Sequence, residues 1–165
     1  MKIIELNSKY IKGLNDLLNS IMDENIFTAN EKKTPEERKK WFNNYEKERK
    51  KGNTVVFVSI EKDEIIGSAS VIRQRGKRNH VWEIGYQVKK EYRNKGVGSL
   101  LVNRVIEFLK ENGGEQLIAW VSETNTASIN LLKKFGFQKV GEIKKGVKLT
   151  KDKYCNYLLF QKEIK

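Results

Sequence analysis

The sequence predicts an α/β (α+β) domain built on a mixed, mostly antiparallel central sheet of about seven strands with flanking helices. Three observations carry that prediction. Three strand-like runs follow one another, Val55 to Ile60, Ile65 to Arg73 and Val81 to Val88, which implies an antiparallel meander. The third run passes through a basic, glycine-containing turn straight into an amphipathic helix. Beyond that helix come a strand, another helix and a last strand pair, so the two kinds of element interleave along the chain.

Each element has its own local warrant. Met1 to Leu6 reads as a first strand, and Ser8 caps a helix in which Ile11, Leu14, Leu17, Leu18 and Ile21 recur at helical spacing. Asn25 to Lys33 reads as a loop. Thr34-Pro35-Glu36-Glu37 starts a second helix, with Thr34 as cap, proline at the first helical position and Glu37 placed for a capping box. Trp41, Phe42 and Tyr45 form its apolar stripe, and Gly52 ends it. The polar Glu61-Lys62-Asp63-Glu64 turn joins the first two strands of the meander, and the basic tract Arg73 to Arg78 reads as a solvated turn before the third. Leu101, Val102, Val105, Ile106 and Leu109 give a helix that begins near Ser99 and is closed by Gly113-Gly114. Leu117 to Val121 is a buried strand. A helix from about Thr126 to Phe135 follows, ending on Lys133, Lys134 and Gly136, and Phe137 to Ile143 pairs with Tyr154 to Ile164.

Composition narrows the function. At 165 residues, 38% hydrophobic and 33% charged, the chain reads as one globular domain with a real core. No apolar run approaches the roughly 18 residues of a membrane span, and the N-terminus lacks a signal peptide's apolar stretch, so the expectation is a cytoplasmic protein with no membrane partner. The single cysteine, Cys155, excludes an intrachain disulfide, and with the single histidine, His80, it cannot build an ordinary zinc site, so no metal is expected. A net charge of +12 invites a nucleic-acid reading. Yet the lysines and arginines are spread along the whole length among glutamates, as on a solvated surface, and a nucleic-acid partner is not expected.

The chemistry concentrates in the basic turn. Gly96 and Gly98 let the backbone approach a ligand, and the helix behind them points unpaired N–H groups and its positive dipole end at the same spot, with Arg93 and Lys95 beside it. This is a phosphate cradle. Leu101 stands where the dinucleotide pattern has its third glycine, and no G-x-x-x-x-G-K-S/T occurs, so Arg93-x-x-Gly96-x-Gly98 is its own pattern.

That pattern resembles the acyl-CoA signature of the GNAT family of N-acetyltransferases: Gln or Arg, two residues, Gly, one residue, then Gly or Ala. A second stretch, Asn125-Thr126-Ala127-Ser128-Ile129-Asn130-Leu131-Leu132-Lys133-Lys134-Phe135-Gly136-Phe137, is similar to that family's next segment. Two ordered matches extend the resemblance over essentially the whole chain, 1–165, as a single N-acetyltransferase domain with the family's acyl-CoA N-acyltransferase fold. The resemblance implies acetyl-CoA as acyl donor and an amine as acceptor. It implies that the backbone of Tyr86, Gln87 and Val88 holds the pantetheine arm. Backbone amides of Arg93, Asn94, Lys95, Gly96, Val97, Gly98 and Ser99 would hold the pyrophosphate. Asn125 would meet a pantetheine amide with a side chain that both donates and accepts, a role that competes with plain helix capping.

Acetyl transfer needs a neutral amine, a polarised thioester carbonyl and a stabilised leaving thiolate. Alternation along Val81 to Val88 puts Glu83, Gly85 and Gln87 on one face, so Glu83 is a carboxylate in the central strand. The resemblance implies that it is the base, since similar acetyltransferases often carry a glutamate there, and burial is expected to raise its pKa. Backbone donors near Val88 would polarise the thioester oxygen. Many members of the family that the chain resembles place a tyrosine where Leu132 stands, and leucine cannot donate a proton. Tyr154 and Tyr157 are the candidate acids by chemistry alone, against the reading of packed strand aromatics. His80 has no nucleophilic serine motif to serve, and Cys155 reads as a buried thiol rather than an acyl carrier. The resemblance implies that residues 22 to 41 and 144 to 157 choose the acceptor, a protein N-terminus, an amino acid or another small amine. A strongly cationic acceptor is disfavoured by the net charge, although Asp23 and Glu24 offset it locally. A catalytically silent acyl-CoA-binding module is the alternative, and edge strands of this architecture permit a homodimer.

Overall fold

A computed structural model describes residues 1–22, 24 and 31–165. Among these, seven strands form one sheet in the order β1-β2-β3-β4-β5-β7-β6. They are β1 (Lys2–Glu5), β2 (Thr54–Glu61), β3 (Glu64–Arg73), β4 (Val81–Val88), β5 (Gln116–Ser122), β6 (Gln138–Lys148) and β7 (Tyr154–Glu163). Four helices flank them: α1 (Ile11–Ile21), α2 (Pro35–Lys50), α3 (Val97–Glu111) and α4 (Thr126–Lys134). All neighbours in the sheet are antiparallel except β4 and β5. The predicted order of elements and the mixed, mostly antiparallel sheet are both present.

Val55 to Val58 of β2 read as a continuous apolar run because both faces of the strand are covered. Val55 and Phe57 join the larger core with α3, α4 and the inner residues of β3 to β5 and β7, whereas Val56 and Val58 join a second core with Leu14 and Leu17 of α1 and Phe42 and Tyr45 of α2. The second core reaches only as far as β3. Residues of β4 and β5 on that side, Glu83, Gly85, Ile118 and Trp120, belong to neither cluster, so the middle of the sheet is left open on one face.

Local chemistry sets the joints. The Thr34 hydroxyl accepts from the Glu37 N–H at 3.2 Å while the Glu37 carboxylate accepts from the Thr34 N–H at 2.8 Å, the capping box expected for α2. Lys62 and Asp63 both take positive φ, which a two-residue hairpin between β2 and β3 demands. Three boundaries differ from the sequence reading by two residues or more. Asn7, not Ser8, supplies the first cap, accepting from the Lys9 N–H, and a short turn Ser8–Tyr10 precedes α1. Helix α3 begins at Val97, two residues before Ser99, because Gly96 itself is the cap at φ +83°. Strand β6 runs on to Lys148, past Ile143: it is an edge strand, exposed along nearly all its length and broken by two register shifts, so it shows no apolar alternation to read. Of the loop expected from Asn25 to Lys33, the part through Asn30 lies outside the described residues, as does Asp23.

Candidate active site

Strands β4 and β5 pair at only three positions, the last being Glu83 opposite Ile118. Beyond it each turns to different neighbours: β4 continues beside β3 as far as Val88 opposite Gly67, and β5 beside β7 as far as Ser122 opposite Tyr157. The strands therefore part, and the gap between them has backbone groups but no strand to pair with. A cleft of about 370 Å³ opens there. Its walls are Tyr86, Gln87 and Val88 of β4, the turn residues Tyr92 to Asn94 and Gly96 to Ser99, and Asn125 with one side of α4 as far as Lys134.

The turn is shaped by two left-handed residues, Asn94 at φ +58° and Gly96 at φ +83°. A Cβ on Gly96 would meet nothing within 4 Å, so that glycine serves backbone conformation rather than space. Gly98 differs. A Cβ there would come within 3.0 Å of Leu131 Cδ2, so its missing side chain lets α4 pack close to α3 beside the cleft. Gly96, the cap of α3, has no side chain to bond its first turn, so among the described residues those N–H groups remain open to an anion. Lys134 leans over this turn, its ammonium 3.5 Å from the Ser99 hydroxyl.

Arg93 is not turned towards that turn. Its Nε donates to the Val88 carbonyl at 3.0 Å, and its two terminal nitrogens donate to the Glu24 carboxylate at 2.6 and 2.7 Å. Those hydrogen bonds, offset in part by burial, hold the Glu24 carboxyl below its ordinary value. The motif arginine thus fastens the segment after α1 to the end of β4, and its charge is largely spent on that pair. Glu24 entered the sequence reading only as a local acidic residue of the acceptor side, because a partner 69 residues away leaves no local signal.

Most of the sequence-predicted cofactor residues come together around the cleft; Lys95 does not line it, and its ammonium lies 5.3 Å from the Tyr92 ring centroid. The Asn125 carbonyl oxygen caps α4, accepting from the Ser128 N–H at 3.1 Å, which leaves its NH₂ as the group with protons to offer the cleft it borders. Tyr86 points into the α4 side of the sheet. Its hydroxyl lies 2.7 Å from Ser128 Oγ, and burial pushes its pKa up to about 12. Ser128, Asn130, Leu131 and Lys134 also line the cleft, and sequence reasoning passed over them. Ala127, Asn130, Leu131 and Lys134 recur at the i, i+3, i+4, i+7 spacing of one helical face, which was the available signal.

Glu83 sits at the root of the gap on the open face. It is half-buried rather than buried, and Gln74 Nε2 lies 3.4 Å from its carboxylate. Tyr157 ends opposite Ser122 and stacks on Trp120 with centroids 5.0 Å apart, on the same open face. Tyr154 is 45% exposed at the start of β7. None of these three borders the cleft. Cys155 is buried, with Ser122 Oγ 3.0 Å from its sulfur. Among the described residues no cluster of three or more His, Cys, Asp or Glu could hold a metal, and no helix is long and apolar enough to cross a membrane.

A seven-stranded mixed sheet whose parallel central strands part beside a glycine turn heading a helix is the acyl-CoA N-acyltransferase fold. Solved structures agree with it over nearly the full chain. An N-acetyltransferase from Staphylococcus aureus Mu50 superposes with a TM-score of 0.89 at 23% identity, covering 99% of this chain and 98% of that one. A GNAT superfamily phosphinothricin acetyltransferase from Sinorhizobium meliloti, in complex with AcCoA, gives 0.85 at 17% identity, covering 99% and 88%. In sequence, YwnH of Bacillus subtilis (strain 168), provisionally named a phosphinothricin acetyltransferase, is 27% identical over 133 residues, 76% of each chain. The family model for the acetyltransferase (GNAT) family matches residues 14–137. The chain belongs to that family and is an acyltransferase.

Proposed function

We propose that this protein transfers the acetyl group of acetyl-CoA to a primary amine by direct attack. The observation that carries the proposal is the parting of β4 and β5 immediately beside the uncapped first turn of α3. An anion at the turn and an extended amide-bearing arm in the gap are the two ends of one ligand, and CoA has both. The N–H groups of Val97, Gly98 and Ser99 receive the pyrophosphate, and the free backbone edge of Tyr86 to Val88 and the Asn125 amide receive the arm. That the Sinorhizobium relative in fold was solved with AcCoA supports the same assignment.

The amine enters from the open face, where α1 and α2 leave Glu83 and Gly85 uncovered. Glu83 lies three residues from Tyr86, roughly 10 Å along the strand, so it takes the amine proton through water rather than directly. A backbone N–H near Val88 polarises the thioester oxygen. The nitrogen bonds to the carbonyl carbon, the C–S bond breaks, and the electron pair leaves on sulfur. A thiol of ordinary pKa about 8.5 is a fair leaving group. The acceptor is an amino acid, another small amine or a protein N-terminus. The names of the B. subtilis and S. meliloti relatives favour a small amine.

Calorimetric titration with acetyl-CoA and CoA at low and high salt, followed by mass spectrometry of amino acids, small amines and N-terminal peptides incubated with acetyl-CoA, tests the reading. Saturable one-to-one binding that tolerates salt, with an N-acetylated product and free CoA, is expected. Absent binding would sink the whole proposal, and binding without any acetylated amine would leave a silent acyl-CoA-binding module.

A further inference from the structure

We propose that the Tyr86 hydroxyl, held by Ser128 across the floor of the cleft, donates the hydrogen bond that stabilises the sulfur leaving from acetyl-CoA. The inference rests on the acetyl-CoA reading above and assigns the residue that Leu132 leaves without an occupant. Leu132 is fully buried in the larger core and offers the cleft nothing.

The depth of the gap fixes where the reacting end lies. An arm that starts at the α3 turn and runs along β4 passes Val88 and then Gln87. It goes no further than Gly85 and Ile84, because the Glu83–Ile118 pair closes the gap beyond them. The thioester is therefore confined to the short stretch of β4 between Val88, whose N–H is on offer to its oxygen, and Tyr86. At that level the Tyr86 side chain crosses from β4 to α4, ending 2.7 Å from Ser128 Oγ and 3.4 Å from the Ser128 carbonyl oxygen. Tyr86, Asn125 and Ser128 all line the cleft, and among the described residues the other tyrosine on its wall is Tyr92, beside the phosphate turn. Tyr154 lies exposed at the start of β7, and Tyr157 is stacked on Trp120 on the open face of the sheet.

The proton inventory works. A tyrosine hydroxyl has one proton to give and lone pairs to receive. When Ser128 Oγ donates to the Tyr86 oxygen, the tyrosine proton is left with only its long 3.4 Å hydrogen bond to the Ser128 carbonyl oxygen, which a nearby sulfur replaces. Burial pushes the Tyr86 hydroxyl up to about 12, well above the roughly 8.5 of an ordinary thiol. The proton therefore stays on the tyrosine, and what Tyr86 supplies is a preorganised dipole for the developing negative charge. As nitrogen bonds to the carbonyl carbon and the C–S bond breaks, the electron pair settles on sulfur against the Tyr86 O–H. The proton lost by the amine passes to Glu83 through water, and the thiolate takes a proton from solvent as CoA departs.

Tyr86→Phe tests this, because phenylalanine keeps the ring that packs on the core and removes only the hydroxyl. The expected result is a roughly ten- to hundredfold loss of kcat, the worth of one hydrogen bond to a charged atom, with CoA affinity unchanged. A second readout needs no acceptor: the thiol of CoA bound to the wild-type protein, followed by thiolate absorbance, should ionise about one unit lower in pH than on Tyr86→Phe. Ser128→Ala, which removes the serine hydroxyl but keeps that of Tyr86 and favours the helix, should show a smaller loss in both. A folded Tyr86→Phe protein with wild-type kcat and wild-type thiol titration overturns the assignment. So does a variant whose CoA affinity falls in step with kcat, which marks lost packing. If the wild-type protein binds CoA but acetylates no amine, the transfer reading fails, and the thiol titration still decides whether Tyr86 touches sulfur.

Discussion

Replacing Gly67 by alanine should loosen the CoA site without touching it. Gly67 is buried in β3, opposite Ser59 of β2 and Val88 of β4. A methyl group there would lie 3.0 Å from Val97 Cγ1, 3.1 Å from Leu101 Cδ1 and 3.1 Å from the Gln87 carbonyl oxygen, against ordinary contacts that begin near 3.4 Å. Gln87 belongs to the β3–β4 ladder and cannot yield, and Val97 and Leu101 are themselves 2% and 0% exposed. Relief comes only if the start of α3 moves away from β4 by a few tenths of an ångström. Overpacking of this kind costs about 1–3 kcal/mol, or about 3–10 °C in melting temperature for a domain of this size. The same movement pulls the Val97, Gly98 and Ser99 N–H groups off the pyrophosphate, which should weaken CoA binding roughly three- to tenfold. Thermal unfolding and calorimetric titration with CoA measure both effects. Gly141→Ala on β6 is the control, since its Cβ would meet only Leu159 Cβ at 3.9 Å. If Gly67→Ala melts within about a degree of the wild type and binds CoA as tightly, the reasoning about α3 is wrong.

Two further outcomes follow from named groups. Glu83→Gln should lower turnover about a hundredfold, the lower end for a general base because water carries the proton. CoA affinity should hold; an unchanged rate would remove Glu83 from the mechanism. Glu24→Gln breaks the bidentate pair with Arg93. Glu24's folded pKa lies below 4.5, so its contribution is present above that value and lost as pH falls through the lowered one. The wild-type protein should therefore exceed the variant in stability by about 1 kcal/mol near neutrality, the pair being partly exposed. That margin should vanish in acid, and urea melts showing the same gap at both ends of the range would refute the assignment.

The elements and the phosphate turn were legible in the sequence because their causes are local. A capping box spans four residues, helical and strand periods repeat within one or two turns, and a glycine at positive φ is written at its own position. The order of elements and the glycine turn are legible that way, and the Asn125 cap is there as the reading that competes with its pantetheine role. Strand β6 was cut short because an edge with one face in solvent and two register shifts keeps no period. What only the tertiary structure decided depends on residues far apart in the chain. The three-residue pairing of β4 with β5 makes the cleft, and Arg93 is committed to Glu24 across 69 positions. Tyr86 reaches Ser128 across 42, and the absence of a side chain at Gly67 and Gly98 seats α3 and α4. Such contacts form only when the sheet and helices have packed, so no window of sequence contains them.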